Sequence, residues 1–139
     1  MSDLKIRQLF EARLAAWATA RSPTLTIAYE DKAFTVPANG GTYLKAFLMP
    51  GAPASEDLAG RHISYRGLFQ VSVITKAGIG RGPAGLIAEE LAALFPNNQE
   101  LTRAGFSVFV RSPMGSAAAI QDDTVSMLPL RFRYRADTF

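Results

Sequence analysis

The chain has 139 residues, about the size of one domain; 48% are hydrophobic and 19% charged, enough apolar material for a core, which excludes a disordered chain. It has no cysteine, which removes disulfide scaffolds, thiolate metal sites and cysteine nucleophiles, and its net charge of +3 is the small excess of 15 basic over 12 acidic residues, not a dense basic patch. The first ten residues carry Asp3, Lys5, Arg7 and Gln8 and so lack a signal-peptide core, and no apolar run nears the ~20 residues that span a bilayer, so a soluble, cytosolic, unexported protein is expected.

In chain order, Ile6, Leu9, Phe10, Leu14 and Trp17 recur at spacings of three and four and predict an amphipathic helix over residues 4–20, with Ser2 available as its cap. Arg21-Ser22-Pro23 stops it, and Leu25, Ile27 and Tyr29 alternate with Thr24, Thr26 and Ala28 as a short strand. Pro37-Ala38-Asn39-Gly40-Gly41 reads as a turn, and the apolar run from Tyr43 to Met49 as a second strand buried on both sides, the two strands forming a hairpin. Residues 50–60 hold two prolines and two glycines without periodicity and read as a long exposed connection. From Arg61 to about Thr75 the pattern is strongly β, with Ile63, Tyr65, Phe69, Val71 and Val73; this is the expected central strand, with Gly67 as a bulge or close-approach position.

A second helix is predicted over 83–95, with Ile87, Leu91, Leu94 and Phe95 on one face, Pro83 in the first turn and Pro96 ending it. The remainder reads as strands at 106–111, around 117–120 and at 125–135, with Asp122-Asp123 as the turn before the last. The order α-β-β-β-α-β-β-β has no βα alternation, so the expected fold is α+β: one domain, residues 1–139, with a mainly antiparallel sheet and two helices packed on it.

Gly80-Arg81-Gly82-Pro83-Ala84-Gly85 is a literal GxGxxG between a strand and a helix. The strand before it belongs to an antiparallel meander, Glu100 falls at a turn signal instead of a strand end, and Pro83 removes an amide, so a connection that reaches a neighbouring subunit is the stronger reading than a nucleotide loop. His62 is the single histidine and is read as a surface residue at a strand start; no serine sits in a nucleophile elbow. Glu89-Glu90 and Asp122-Asp123 are adjacent pairs that read as solvated helix face and turn. No catalytic residue, metal site or cofactor site is assigned.

The last strand is more informative, because Leu130, Phe132 and Tyr134 alternate with Arg131, Arg133 and Arg135, one face apolar and the other carrying three guanidinium groups. Two readings stand: a solvated face or a charge-guarded edge strand, and a contact to an acidic partner through arginine forks. Backbone phosphates are a weaker fit, since no stacking aromatics are interleaved on the arginine face of that strand.

The blocks Leu9-Phe10-Glu11-Ala12-Arg13-Leu14-Ala15-Ala16-Trp17, Tyr43-Leu44-Lys45-Ala46-Phe47-Leu48, Tyr65-Arg66-Gly67-Leu68-Phe69-Gln70-Val71-Ser72-Val73, Ala88-Glu89-Glu90-Leu91-Ala92-Ala93-Leu94-Phe95-Pro96 and Leu130-Arg131-Phe132-Arg133-Tyr134-Arg135 span nearly the whole chain. Together they resemble a family of small phage-encoded proteins related to the tail terminators of long, non-contractile tailed phages. The resemblance implies a structural protein, not an enzyme, that forms a six-membered ring on the head-proximal end of the tail tube, stops tube growth and offers a head-joining surface. It implies as partners further copies of the chain, the tail tube protein and a head-completion protein, with no membrane and no specific nucleic acid. It places the protein in the host cytoplasm during assembly and then in the virion tail.

A ring with head-to-tail contacts needs two different patches per subunit, and the candidates are the loops 50–60 and 76–85 and the arginine face of Arg131, Arg133 and Arg135, with Arg66 and Arg81 as further contacts. The alternatives are a head–tail joining or tail-completion factor, a nucleic-acid-binding module using the arginine face, and a small-ligand protein or enzyme built on the glycine-rich loop.

Overall fold

Ile6, Phe10, Leu14 and Ala18 recur every fourth residue, so in helical conformation they fall on one stripe, and all four are buried on α1, Ser2–Ala20. A computed structural model describes residues 2–138 apart from residues 23, 38–40, 56, 57 and 59. The side chain of Ser2, Pro23, and the centre of the expected turn at 37–41 therefore lie outside the described residues. The second helix, α2, spans Gly82–Leu94 with proline in its first turn and buries Ala84, Ile87 and Leu91. Phe95 follows it, its amide still bonded to the Leu91 carbonyl at 3.1 Å, and Pro96 cannot extend the ladder.

Eight strands form one sheet: β1 (Thr26–Tyr29), β2 (Tyr43–Pro50), β3 (Ile63–Lys76), β4 (Glu100–Arg103), β5 (Phe106–Val110), β6 (Gly115–Ser116), β7 (Ile120–Gln121) and β8 (Val125–Thr138). Their order is β1-β2-β3-β8-β5-β4, with β6 and β7 also pairing with β8. The long strands β3 and β8 make the central antiparallel ribbon, in register from Ile63↔Thr138 to Lys76↔Val125. The fold is α+β with a mostly antiparallel sheet, as the sequence predicts.

The alternation of β3 and β8 sends Phe69, Val71, Val73, Leu130, Phe132 and Tyr134 to one face, where they are buried. Phe10 of α1 sits over this face at centroid distances of 5.0 Å from Phe69, 5.2 Å from Phe132 and 5.7 Å from Tyr134. Phe95, at the end of α2, stacks 5.0 Å from Phe132. Both helices therefore cover the same face, and a cluster of tilted and edge-on rings lies at its centre.

The strand pairing departs from the sequence reading in three places. β1 and β2 are parallel, Thr26↔Tyr43 to Tyr29↔Ala46, and not a hairpin. The chain leaves β1 at Tyr29 and has all of residues 30–42 in which to return, the length a crossover requires. Glu30, just past β1, accepts from the Leu48 amide at 2.6 Å, continuing the edge where β1 has ended. Glu100 opens a strand that the sequence reading treats as a turn: β4 pairs with β5 through Ala104-Gly105, both at positive φ (52° and 77°). Only Leu101 of β4 is even half-buried, so no alternation marks it. The strand expected around 117–120 is largely absent: Ala117, Ala118 and Ala119 lie between the two short strands β6 and β7. The long connection after β2 is exposed as expected, and is tied to β3 by the Gly51 amide to the Arg66 carbonyl (2.7 Å) and by the Ala54↔Ser64 bridge; Glu56, Asp57 and Ala59 lie outside the described residues.

Candidate assembly interface

The face opposite the helices is where the odd-numbered residues of β8 emerge. Arg131 and Arg133 are exposed and Arg135 half-buried, while Leu130, Phe132 and Tyr134 are buried behind them. β8 lies between β3 and, on its other side, β5, β6 and β7, so the guarded-edge reading of the arginine row does not hold. The solvated-face and partner-contact readings remain.

Register decides which arginines meet. Arg66 lies opposite Arg135, Leu68 opposite Arg133 and Gln70 opposite Arg131. Arg66, Arg133 and Arg135 line one open groove of about 560 Å³ together with Gly51, Gly67, Leu68, the backbone around Tyr134, and Arg111 at the end of β5. Arg111 did not figure among the sequence candidates. Its signal was present, since Val108-Phe109-Val110-Arg111 alternates and sends Phe109 and Arg111 outward. The Arg111 guanidinium lies 4.9 Å from the Phe109 ring centroid, and its amide donates to the Arg133 carbonyl at 2.7 Å. The sheet thus brings an aromatic ring from β5 to the arginine face, which the sequence of β8 alone does not show.

Arg131 stands one step along the strand from the groove. Arg81 is not part of it: β3 runs from Arg66 to Lys76, roughly 30 Å at the strand rise, before the chain reaches Arg81. There Arg81, Lys76, Gly78, Gly80, Gln121 and Ser126 line a separate cavity of about 310 Å³. The glycine-rich segment is a turn between an antiparallel strand and α2, with Gly78 and Gly80 at positive φ (88° and 84°) and Ala77 bonded to the Thr124 carbonyl at 3.0 Å.

The groove has an internal anchor. Arg135 donates through Nε to Asp137 Oδ2 at 3.1 Å and through Nη2 to Oδ1 at 3.2 Å, and His62 Nε2 lies 2.8 Å from the same Oδ1. Burial pushes the Asp137 carboxyl up, but the hydrogen bonds and charges of Arg135 and His62 outweigh it and hold the group below the ordinary carboxylate value. His62 precedes β3 as expected, yet it is buried instead of surface-exposed, because the β3–β8 register brings Asp137 to it from the far end of the chain. Arg66 Nε donates to Ser64 Oγ at 3.3 Å. Among the described residues, no carboxylate forms an ion pair with Arg111, Arg131 or Arg133.

The acidic pairs have separate roles. Glu89 is exposed on α2, whereas Glu90 accepts from Arg21 Nη2 at 2.8 Å, a bond that holds its carboxyl below the ordinary value. Asp122 Oδ1 accepts from the Thr124 and Val125 amides at 2.7 and 2.8 Å, forming the turn into β8. Among the described residues no group of three or more His, Asp or Glu could hold a metal ion, and no helix is long and apolar enough to cross a membrane.

The phage tail terminator protein family model matches residues 5–134, and so takes in α1 from its fourth residue, the whole of α2 and β1–β7, and β8 up to Tyr134. Six chains of solved structures match; one of them is 41% identical, covers 100% of this chain and 98% of its own, and superposes with a TM-score of 0.85. No curated protein matches. A match that spans nearly the whole sequence, on a fold shared with a solved relative over its full length, places this chain in the phage tail terminator family, a structural family with a part in tail assembly.

Proposed function

We propose that this chain, acting as one unit over residues 1–139, closes the head-proximal end of the tail tube as a ring of copies, six in the reading the family suggests. It ends tube growth and presents the surface to which the head joins. The observation that carries the reading is the family match across residues 5–134. The sheet supports it, because both helices lie on one face and leave the other, with its five arginines, for contact with protein. A closed ring needs two unlike patches on each subunit; the candidates are the arginine face, with the loop 50–60 that begins beside it, and the glycine-rich segment 76–85 at the far end of β3. In this reading Arg66, Arg131, Arg133 and Arg135 belong to one contact and Arg81 to another. The partners are further copies, the tube protein and a head-completion protein, met in the host cytoplasm during assembly and retained in the virion tail.

The test is deletion of the gene in its parent phage or prophage, followed by electron microscopy of induced lysates and a tail-length distribution. Overlong, headless tails are expected. Tails of normal length that fail to join heads would instead make the protein a joining factor, and intact infectious particles would remove the structural reading.

A further inference from the structure

We infer that the groove walled by Arg66, Arg111, Arg133 and Arg135 binds a carboxylate-bearing peptide segment of a partner tail protein, seating an apolar side chain of that segment on Leu68. The inference rests on the reading of this face as an assembly contact and names what the contact grips.

Four features of the groove carry it. All of its cationic groups are guanidinium, with no lysine among its lining residues, and the planar fork of arginine matches a carboxylate with two parallel hydrogen bonds. One arginine of the groove already makes such a fork, since Arg135 grips Asp137 through two nitrogens. Among the described residues no carboxylate pairs with Arg111 or Arg133, so two forks stand ready for acidic groups from outside. The bed of the groove is apolar: Leu68 lines it, and Met49, directly opposite Leu68 on β2, is 38% exposed. Guanidinium groups around an apolar bed complement a segment in which an apolar side chain lies between carboxylates.

Nucleic acid fits less well. A duplex presents phosphates on a convex surface and would leave Leu68 and Met49 facing charge. A single strand needs open ring faces on which to stack, and the Phe109 ring beside the groove is already covered by Arg111.

The experiment is fluorescence anisotropy on the purified full chain at physiological salt. The probes are a labelled peptide Glu-Glu-Leu-Glu-Glu-Leu, its counterpart with glutamine at every glutamate, and a labelled oligothymidylate of the same length. The acidic peptide is expected to bind at least about tenfold more tightly than the amide peptide, and Arg133→Lys and Arg111→Lys, which keep the charge and lose the fork, each to weaken it about tenfold. Arg103→Lys, an exposed change on β4 outside the groove, is expected to leave binding unchanged. Thermal melting of each variant establishes that it is folded, and the two groove variants are independent of each other should one be perturbed. Equal binding of the two peptides would overturn the inference, as would full affinity in both lysine variants, or tighter binding of the oligothymidylate lost in those variants. Because the assay is made on the isolated protein, its failure alongside overlong tails in the deletion would overturn this inference and keep the capping reading. Success alongside intact particles would remove the capping reading, and the tail partner with it, and keep the groove's grip on acidic segments.

Discussion

A Cβ placed on Gly67 would stand 2.5 Å from the Met49 carbonyl oxygen and 2.7 Å from the Tyr134 hydroxyl. Gly67 and Tyr134 face each other across β3 and β8, and the tyrosine fills the volume that a side chain at 67 would need. Gly67→Ala is therefore expected to cost about 3 kcal/mol, read as a lowered midpoint in denaturant unfolding; an unchanged midpoint would mean that the backbone relaxes freely there. The hydroxyl of Tyr134 is itself buried and has no hydrogen-bond partner among the described residues. Burial, with the nearby charge of Asp3, pushes its pKa up to about 12, Arg7 opposing. A phenol whose folded value is raised adds stability in full below pH 10 and loses it as pH rises from 10 towards 12, because the unfolded chain ionises first. Tyr134→Phe should thus be neutral or stabilising by about 1 kcal/mol at pH 7. It should also flatten the alkaline loss of stability, which unfolding midpoints between pH 9 and 12 would reveal.

At the scale of elements, the start of β3 and the end of β8 are joined by more than their ladder. His62 and Arg135 both hold Asp137, and this cluster fixes the end of the ribbon that carries the arginine groove. Asp137→Ala removes the carboxylate that His62 and Arg135 both bond and should cost about 2 kcal/mol. The carboxyl is held below its ordinary value, so its contribution is present above pH 4 and is lost as pH falls through the lowered value. The variant should accordingly lose stability less steeply than the parent below pH 4, as acid titration of circular dichroism would record. The same cluster shows how far the sequence could be read here. His62 was placed correctly before a strand, but the carboxylate that buries it lies 75 residues away.

At the scale of the molecule, the sheet separates two surfaces. One takes both helices and the aromatic cluster; the other gathers Arg66, Arg111, Arg131, Arg133 and Arg135 from three neighbouring segments. Changing Arg131, Arg133 and Arg135 together to glutamate keeps Leu130, Phe132 and Tyr134 in place but also breaks the Arg135–Asp137 pair, so thermal melting must first establish that the variant is folded; it should then weaken assembly. Sedimentation velocity with the purified protein checks this: a shift to smaller species is expected, and an unchanged profile would remove the face from the ring contact. Residual like-charge repulsion within the native row also predicts that assembly responds to ionic strength.

Periodicity alone determined α1, α2, the β3 and β8 alternations and the outward arginine row, because each is a property of consecutive residues and the geometry of one element. The close approach at Gly67 was legible for the same reason, a glycine inside a strand of large apolar residues. Strand direction was not: Ile27 and Tyr29 alternate identically whether β1 lies parallel or antiparallel to β2, and only the pairing of Thr26 with Tyr43 and of Tyr29 with Ala46 in the folded chain makes it parallel. β4 escaped because one half-buried leucine sets no pattern and Ala104 adopts a left-handed conformation that its side chain does not advertise. The site divides in the same way. The sequence could say that Arg131, Arg133 and Arg135 share a face, but register between strands decided that Arg66 and Arg111 join Arg133 and Arg135 in one groove while Arg81 lies at the far end of the ribbon. Pairing between distant segments is fixed by how the whole core closes, and no local pattern carries it.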